Sequence, residues 1–330
     1  MTCIAGASTA SLAELSYRLH ADLAREHDGA SRWGYRQLTT LSVSASTGKR
    51  SAAAPRKTPR NKHADLTDWM DGASISHTSQ LGDSSTTAQV HPQLFTRAMA
   101  DMAREQGAEI KMGTLTHVDP HGAGYVATVS KADGSKYEIG GVSDIVIAAG
   151  PWTGALLKHA FSPEIKLAQT RARSIRGSRA HSVVVRPPSG LTLPPAAYFM
   201  SLAGEGEPEI YLRPDNTAYA CGPSDSSPLP LHARDVQSMP TSTREILSQV
   251  ARLSPSHMDP DKGATVEKEQ ACYLPVGSGD PVLARLAQGV FVASGHSCWG
   301  ICNGPGTGLC MAEFVLDGHV SSADISYLDS

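Results

Sequence analysis

The run Gly295-His296-Ser297-Cys298-Trp299-Gly300-Ile301-Cys302-Asn303-Gly304-Pro305-Gly306-Thr307-Gly308 places five glycines between an apolar stretch and a helical one. Glycine lets a backbone approach a ligand closely, and the free N–H groups and dipole at a helix start favour negative charge. A plain turn needs only one or two glycines, so this run reads as an anion- or dinucleotide-binding device. A second junction of the same kind leads from Asp144-Ile-Val-Ile-Ala-Ala149 into Gly150-Pro151-Trp152.

Other chemistries find less support. Gly122-Ala123-Gly124-Tyr125-Val126-Ala127 fits GxGxxA, but a β-rich hairpin pattern follows it where a nucleotide fingerprint needs a helix. The histidines show no HExxH or i,i+4 pairing, and Cys298 and Cys302 have no second ligand pair at zinc spacing. No GxSxG elbow occurs.

The two junctions need strands before them and helices after them. Val290–Ser294 and Asp144–Ala149 read as buried strands, and Leu309–Leu316, closed by Gly318, and Thr153 to about His159 read as helices. Upstream, apolar spacing predicts a helix over Leu12–Glu26 that stops near Asp28-Gly29, then a short apolar stretch, Leu38–Val43. Pro92 suits a first helical turn, and Phe95, Ala98, Met99, Met102 and Ala103 form one helix face behind it. Ile110–Val118 and Tyr125–Ser130 read as strands, with a hairpin signal at Asp133-Gly134 before Lys136–Ile139. Residues 166–275 differ. Their strand pieces (Ser182–Arg186, Glu209–Leu212, Ala218–Cys221) and one helix, Ser242–Leu253, predict a second, mostly antiparallel domain inserted into the first.

Length and composition set bounds. A chain of 330 residues is long enough for two domains, and 40% hydrophobic against 18% charged residues excludes global disorder. A formal net charge of −3 gives no reason to expect a nucleic-acid or anionic-membrane partner. No apolar run approaches the roughly 20 residues of a membrane span, and no signal peptide is read at the start. Six scattered cysteines without a CxxC pair read as free thiols in a reducing compartment, so a cytoplasmic location is expected. Lys49, Arg50, Arg56, Lys57, Arg60 and Lys62 read as a solvated, flexible basic loop rather than a targeting or anion-binding patch.

Thr87-Ala88-Gln89-Val90-His91-Pro92, Ile147-Ala-Ala-Gly150-Pro151-Trp152-Thr153, Glu209-Ile-Tyr211-Leu-Arg213-Pro214-Asp215, Cys272-Tyr-Leu-Pro275-Val276 and the Gly295–Gly308 run occur in one order. That order resembles the D-amino-acid-oxidase-type FAD-dependent oxidoreductases, nearest to a fungal branch, over about residues 30–48 and 83–330. The resemblance implies an α/β fold: a Rossmann-like FAD domain interleaved with an antiparallel-sheet substrate domain. The expected division is 1–43, 86–165 and 276–330 for FAD, 44–85 as a flexible basic connection, and 166–275 for substrate. It implies that Ser8, Leu115, Ala149, Gly150, Trp152, Gly295, His296, Gly300, Ile301, Gly306 and Thr307 face the cofactor. Arg213, on a different strand, is either a substrate contact or a surface or structural arginine; Tyr211 and Tyr273 either face the same substrate cavity or serve the core or surface; no catalytic residue is singled out.

Two departures qualify the resemblance. The family's opening strand, GxGxxG turn, helix and acidic residue have no counterpart ahead of Gly6-Ala7-Ser8. About thirty residues, the usual size of such a unit, are expected to be absent, with FAD binding impaired. Amine-oxidising relatives also carry an arginine where Leu274 stands. The expected function is hydride transfer from a small amine- or hydroxyl-bearing substrate to flavin. The alternative is a non-catalytic remnant of the fold that serves as an interaction scaffold.

Overall fold

The computed structural model describes residues 8–47 and 63–329. A seven-stranded sheet runs in the order Thr265–Val276, Arg176–Arg186, Ala218–Asp225, Glu209–Leu212, Ala196–Leu202, Thr39–Ser46, Ser74–Gly82. Its neighbours are antiparallel except for the Ala196–Leu202 and Thr39–Ser46 pair. Side chains alternate across a strand, and here the two faces differ in kind. Leu41, Val43, Val183, Val185, Ile210 and Leu212 bury one face against Ile246, Val250 and Leu253 of the Pro240–Leu253 helix. Burying each such side chain contributes about 1.5–3 kcal/mol. The opposite face carries Tyr211, Tyr219, Cys221 and Cys272.

This sheet corrects the expected division of the chain. Residues 44–46 and 74–82, read as part of a flexible connection, are paired strands, and 39–43 belongs to the antiparallel sheet rather than to the cofactor domain. Ser44 and Ser46 look like loop residues, but they alternate with buried Val43 and Ala45 on the polar side of a half-covered sheet. The basic cluster at 49–62 lies outside the described residues.

A second sheet joins Val282–Ala287, Val290–Ser294 and Ile145–Ile147, the last two in parallel. Thr114–His121, Gly124–Ser130 and Lys136–Val142 form a third, antiparallel sheet. The expected strand over 110–118 begins only at Thr114, because residues 110–113 find no strand partner among the described residues. Gly122 sits in the tight turn of a hairpin at φ 59°, so the GxGxxA match is not a nucleotide turn.

The Ala10–Glu26 helix packs Leu12 and Leu15 against Cys310 and Met311 of the Gly300–Leu316 helix. The latter was expected to begin at Leu309; it starts at Gly300 and continues through Pro305. A proline inside a helix leaves the carbonyl four residues back without its N–H partner. That carbonyl, of Ile301, accepts a hydrogen bond from His20 Nε2 at 2.9 Å, so it is not left unsatisfied. Among the described residues no helix is long and apolar enough to cross a membrane.

Candidate active site at two glycine turns

The parallel strands Ile145–Ile147 and Val290–Ser294 pair Ile147 with Val292, so their carboxyl ends emerge side by side. In open α/β sheets ligands bind just beyond such ends. Ser294 Oγ donates to the Gly150 carbonyl at 3.1 Å and accepts from Thr153 Oγ1 at 2.8 Å, which locks the two turns together. Gly150 (φ 53°) and Gly295 (φ 88°) both adopt left-handed backbone that favours glycine.

The surroundings of these glycines separate packing from open space. A Cβ on Gly295 would lie 3.1 Å from Ile175 Cδ1, whereas one on Gly150, Gly304 or Gly308 would meet nothing within 4 Å. Gly300, Gly304 and Gly308 follow one another at i,i+4 along one side of the helix. The start of that helix, at Trp299, has no side-chain cap, so the first-turn N–H groups are not taken by a capping residue. His296 Nε2 lies 3.3 Å from Thr307 Oγ1, while its Nδ1 is buried without a hydrogen-bond partner. Burial pushes the His296 pKa down to about 4, so the ring is neutral near pH 7.

The turns at Gly150–Trp152 and Ser297–Trp299 contact the Thr265–Val276 strand of the large sheet. The polar face of that sheet carries an aromatic floor. Tyr211 lies 6.0 Å from Tyr219 and 6.4 Å from Phe199, ring to ring, and the Arg213 guanidinium sits 5.0 Å over Tyr219. Tyr211 donates to Glu209 Oε2 at 2.6 Å. Burial raises the Tyr211 and Tyr219 phenols, the former helped by Glu209, and pushes the Cys221 thiol up to about 12.

The structure brings some expected residues together and separates others. Ala149, Gly150, Gly295, His296, Gly300 and Thr307 surround the two turns. Trp152 adjoins them and donates its indole N–H to the Pro230 carbonyl at 2.8 Å. Ile301 packs on the cluster of Trp33 and Phe95. Tyr211 and Arg213 share the polar sheet face.

Gly306 does not face that space. It is buried against the Ala10–Glu26 helix, where its N–H donates to Ser16 Oγ at 2.9 Å, and a Cβ would stand 2.4 Å from that oxygen. It was misassigned because a glycine run read as a loop is in fact helix, and this glycine serves helix packing. Tyr273 is corrected too. It pairs with Arg179, one residue out of phase with Cys272, so it points to the opposite face and donates to the Pro228 carbonyl at 2.7 Å. Ser8 donates to Asp280 at 2.5 Å, and Leu115 pairs with Val129 in the third sheet; no hydrogen bond ties either to the turns. Glu209 and Ser294 were not singled out. The alternation Glu209-x-Tyr211-x-Arg213 was the available signal for the first; a lone strand-end serine gave none for the second. Among the described residues no three His, Cys, Asp or Glu side chains form a metal site.

A family model for FAD-dependent oxidoreductases of the DAO type matches residues 4–314. The chain belongs to the DAO family of FAD-dependent oxidoreductases. Its cofactor is FAD. Two fungal relatives of this DAO-family chain are named as oxidoreductases. One, from Schizosaccharomyces pombe, is 31% identical over 98% of this chain and 82% of its own length. The other, TDA3 of Saccharomyces cerevisiae, is 33% identical over 81% of this chain, which spans only 54% of that protein. The solved glycine oxidase of Geobacillus kaustophilus superposes with a TM-score of 0.72 at 20% identity, covering 99% of this chain and 84% of that one. It shares the fold. The open space at Gly150 and Gly304, the uncapped helix start and the unpartnered His296 Nδ1 fit the flavin end of the cofactor.

Proposed function

We propose that this DAO-family protein oxidises a small amine- or hydroxyl-bearing substrate with an anionic group, held between the two glycine turns and the polar sheet face. The observation that carries this is Arg213. Its half-buried guanidinium has no hydrogen bond or ion pair among the described residues; the Asp215 carboxylate, two residues on, accepts instead from Thr217. The face of Tyr219 is its neighbour, and a substrate carboxylate would supply the charge-assisted partner it lacks.

Ala149, Gly150, Trp152, Gly295, His296, Gly300, Ile301 and Thr307 are assigned to the cofactor side, and Tyr211 and Arg213 to the substrate side. FAD, when bound, accepts a hydride from the substrate C–H beside its nitrogen or oxygen. The chain's own part is orientation and electrostatics. Arg213 anchors the anionic end, and the floor of Tyr211 and Tyr219 excludes water beneath it. The N–H groups of the first turn of the Gly300–Leu316 helix would stabilise negative charge on a flavin ring held beside them. His296, neutral by burial, adds no competing positive charge.

The test is anaerobic bleaching of the yellow, FAD-loaded protein by carboxylate-bearing amines and alcohols, compared with the same compounds lacking the carboxylate. Bleaching that needs the carboxylate and is lost in Arg213→Gln supports the reading. A protein that holds FAD yet is bleached by none of them is the scaffold, not the enzyme.

A further inference from the structure

Residues 317–329 form neither helix nor strand, and they lie beyond the stretch that the family model matches. One carboxylate fastens them. Glu313, on the last turn of the Gly300–Leu316 helix, accepts four hydrogen bonds from two adjacent serines. The N–H and Oγ of Ser321 donate at 3.0 and 2.9 Å, and those of Ser322 at 3.1 and 2.6 Å. The Ser322 hydroxyl first, then the two backbone N–H groups, hold the Glu313 carboxyl down at about 2, so it is charged at physiological pH. Past this clasp the segment is packed. The Asp324 N–H donates to Ser11 Oγ at 2.9 Å, and the Leu328 carbonyl accepts from the Leu283 N–H at 2.8 Å. Ile325 and Leu328 are buried with Leu12, Leu15 and Met311. The segment is therefore a strap that ties the Ala10–Glu26 helix to the Gly300–Leu316 helix. At the clasp itself Ser321 is exposed and Ser322 half-buried. Asp317 and Asp324 flank the pair, and an acid three residues after a serine is the context that acid-directed protein kinases read.

We propose that Ser321 and Ser322 are a phosphorylation site whose modification unfastens the strap. The kinase moves the terminal phosphoryl group of ATP to a serine Oγ. The new O–P bond forms as the bond to the ADP oxygen breaks, and the hydroxyl proton leaves to the kinase's base. The serine loses its donor and gains a charge of about −1.5 to −2. That charge stands against the Glu313 carboxylate, so a charge-assisted attraction becomes like-charge repulsion. One cation lies near the strap: a Cβ on Gly318 would stand 3.9 Å from Arg285 Nη2. Its guanidinium is held over the rings of Phe291 and Phe314, at 5.2 and 5.3 Å. Release uncovers Leu12, Leu15 and Met311 and loosens the helix pair. The switch stands without the proposed function; only an effect on the cofactor rests on that reading, which sets the Gly300–Leu316 helix at the flavin.

The experiment incubates the full, FAD-loaded chain with ATP and an acid-directed serine kinase. Peptide mass mapping locates the phosphate, and amide hydrogen exchange follows residues 318–329. The expected result is phosphate on Ser321 or Ser322, with exchange across the strap faster by about ten-fold or more. Ser321→Asp with Ser322→Asp opens the strap without the kinase, and adding Glu313→Arg closes it again, because opposite charges then meet. Ser321→Ala with Ser322→Ala keeps both backbone N–H bonds to Glu313, and the strap stays closed. The proposal is overturned by the absence of phosphate on both serines, by a phosphorylated strap as protected as before because Arg285 takes the phosphate, or by an open strap that Glu313→Arg does not close. FAD affinity is read alongside by fluorescence titration. An open strap with weaker FAD binding supports both readings. An open strap with unchanged FAD affinity upholds the switch and counts against placing that helix at the flavin.

Discussion

His20 Nε2 donates to the carbonyl of Ile301 at 2.9 Å, across a sequence separation of 281 residues. The acceptor is the oxygen that Pro305 cannot serve, so a side chain from one helix completes the backbone of another. The ring also packs on Phe95, centroid to centroid 4.8 Å with the planes tilted by 45°, and burial lowers its pKa. His20→Phe retains the aromatic contact but leaves the Ile301 carbonyl without its donor. An unsatisfied buried acceptor costs about 1–3 kcal/mol, and this loss should appear in chemical denaturation. Because the lost bond lies in the first turn of the helix proposed to face the cofactor, FAD affinity measured by fluorescence titration should also weaken. An unchanged midpoint would show that the Ile301 carbonyl finds water instead.

Gly306 and Ser16 meet between the same two helices, where the Gly306 N–H donates to Ser16 Oγ at 2.9 Å. A methyl at 306 would meet Ser16 Oγ at 2.4 Å and the Leu12 carbonyl at 3.1 Å. Gly306→Ala should therefore destabilise by about 1–3 kcal/mol, the usual range for overpacking. Adding Ser16→Ala should recover part of this, since it removes the nearer atom. Purified protein carrying Gly306→Ala, once folded, should still bind FAD, because residue 306 faces the packed side of its helix. Loss of flavin without loss of stability would return Gly306 to the cofactor site.

These two contacts show where the sequence was legible and where it was not. Glu209–Leu212 and Val290–Ser294 have the bounds that their alternation and apolar runs predict. The Pro92–Glu105 helix follows from its proline start and apolar stripe. The helix through Pro305 was not legible, because the carbonyl that the proline leaves open finds its donor in His20, far away in the chain. Nor was the division of a polar and an apolar sheet face over 39–46, where the strand's pairing with Ala196–Leu202 decides the outcome. Arg213 was singled out by its charge, and the structure leaves its guanidinium without an ion pair among the described residues. Tyr273 was misplaced by one residue of register, which in a strand is the difference between two faces.

Acid should weaken the fold through buried imidazoles. The His296 pKa is about 4 in the folded chain, against an unfolded value near 6.5. Between these values the unfolded chain binds more protons, so stability rises with pH. The loss therefore develops as pH falls from about 6.5 to 4, and is absent above. Its ceiling is on the order of 3 kcal/mol, from about 1.4 kcal/mol per pKa unit. Burial lowers His20, His91, His181 and His257 in the same direction, so the slope is shared. His296→Gln should flatten part of it in denaturation midpoints measured from pH 7 to 4. The same slope in the variant would mean that His296 is solvated in the folded chain.

Ser294 holds the two turns through opposite ends of one hydroxyl, donating to Gly150 and accepting from Thr153. Ser294→Ala removes both bonds at a buried position and leaves the Gly150 carbonyl without that donor. A stability loss of about 1–3 kcal/mol is expected, with a larger fractional loss of FAD affinity than an equally destabilising change on the far face of the large sheet, such as Val185→Ala. Equal flavin affinity in these two variants would separate the turns from the cofactor.

Leu274 gives the last test, because the register places it on the site face. Cys272 pairs with Ala180 and Leu274 with Ser178, in phase with Cys221 opposite Ser182. A leucine there offers no bond to a carboxylate, so short amino acids such as glycine and D-alanine should bleach the flavin poorly in the native protein. Leu274→Arg adds a guanidinium on that face, and one charge-assisted hydrogen bond contributes about 1.5–3 kcal/mol. Bleaching by glycine or D-alanine should then rise by roughly ten-fold or more, as a fall in KM, and should survive Arg213→Gln in the double variant. The native substrate, held by Arg213, should gain nothing from the new arginine. If the double variant loses the new activity, the added arginine does not reach the reacting centre, and the Thr265–Val276 strand lies beside the substrate site rather than lining it.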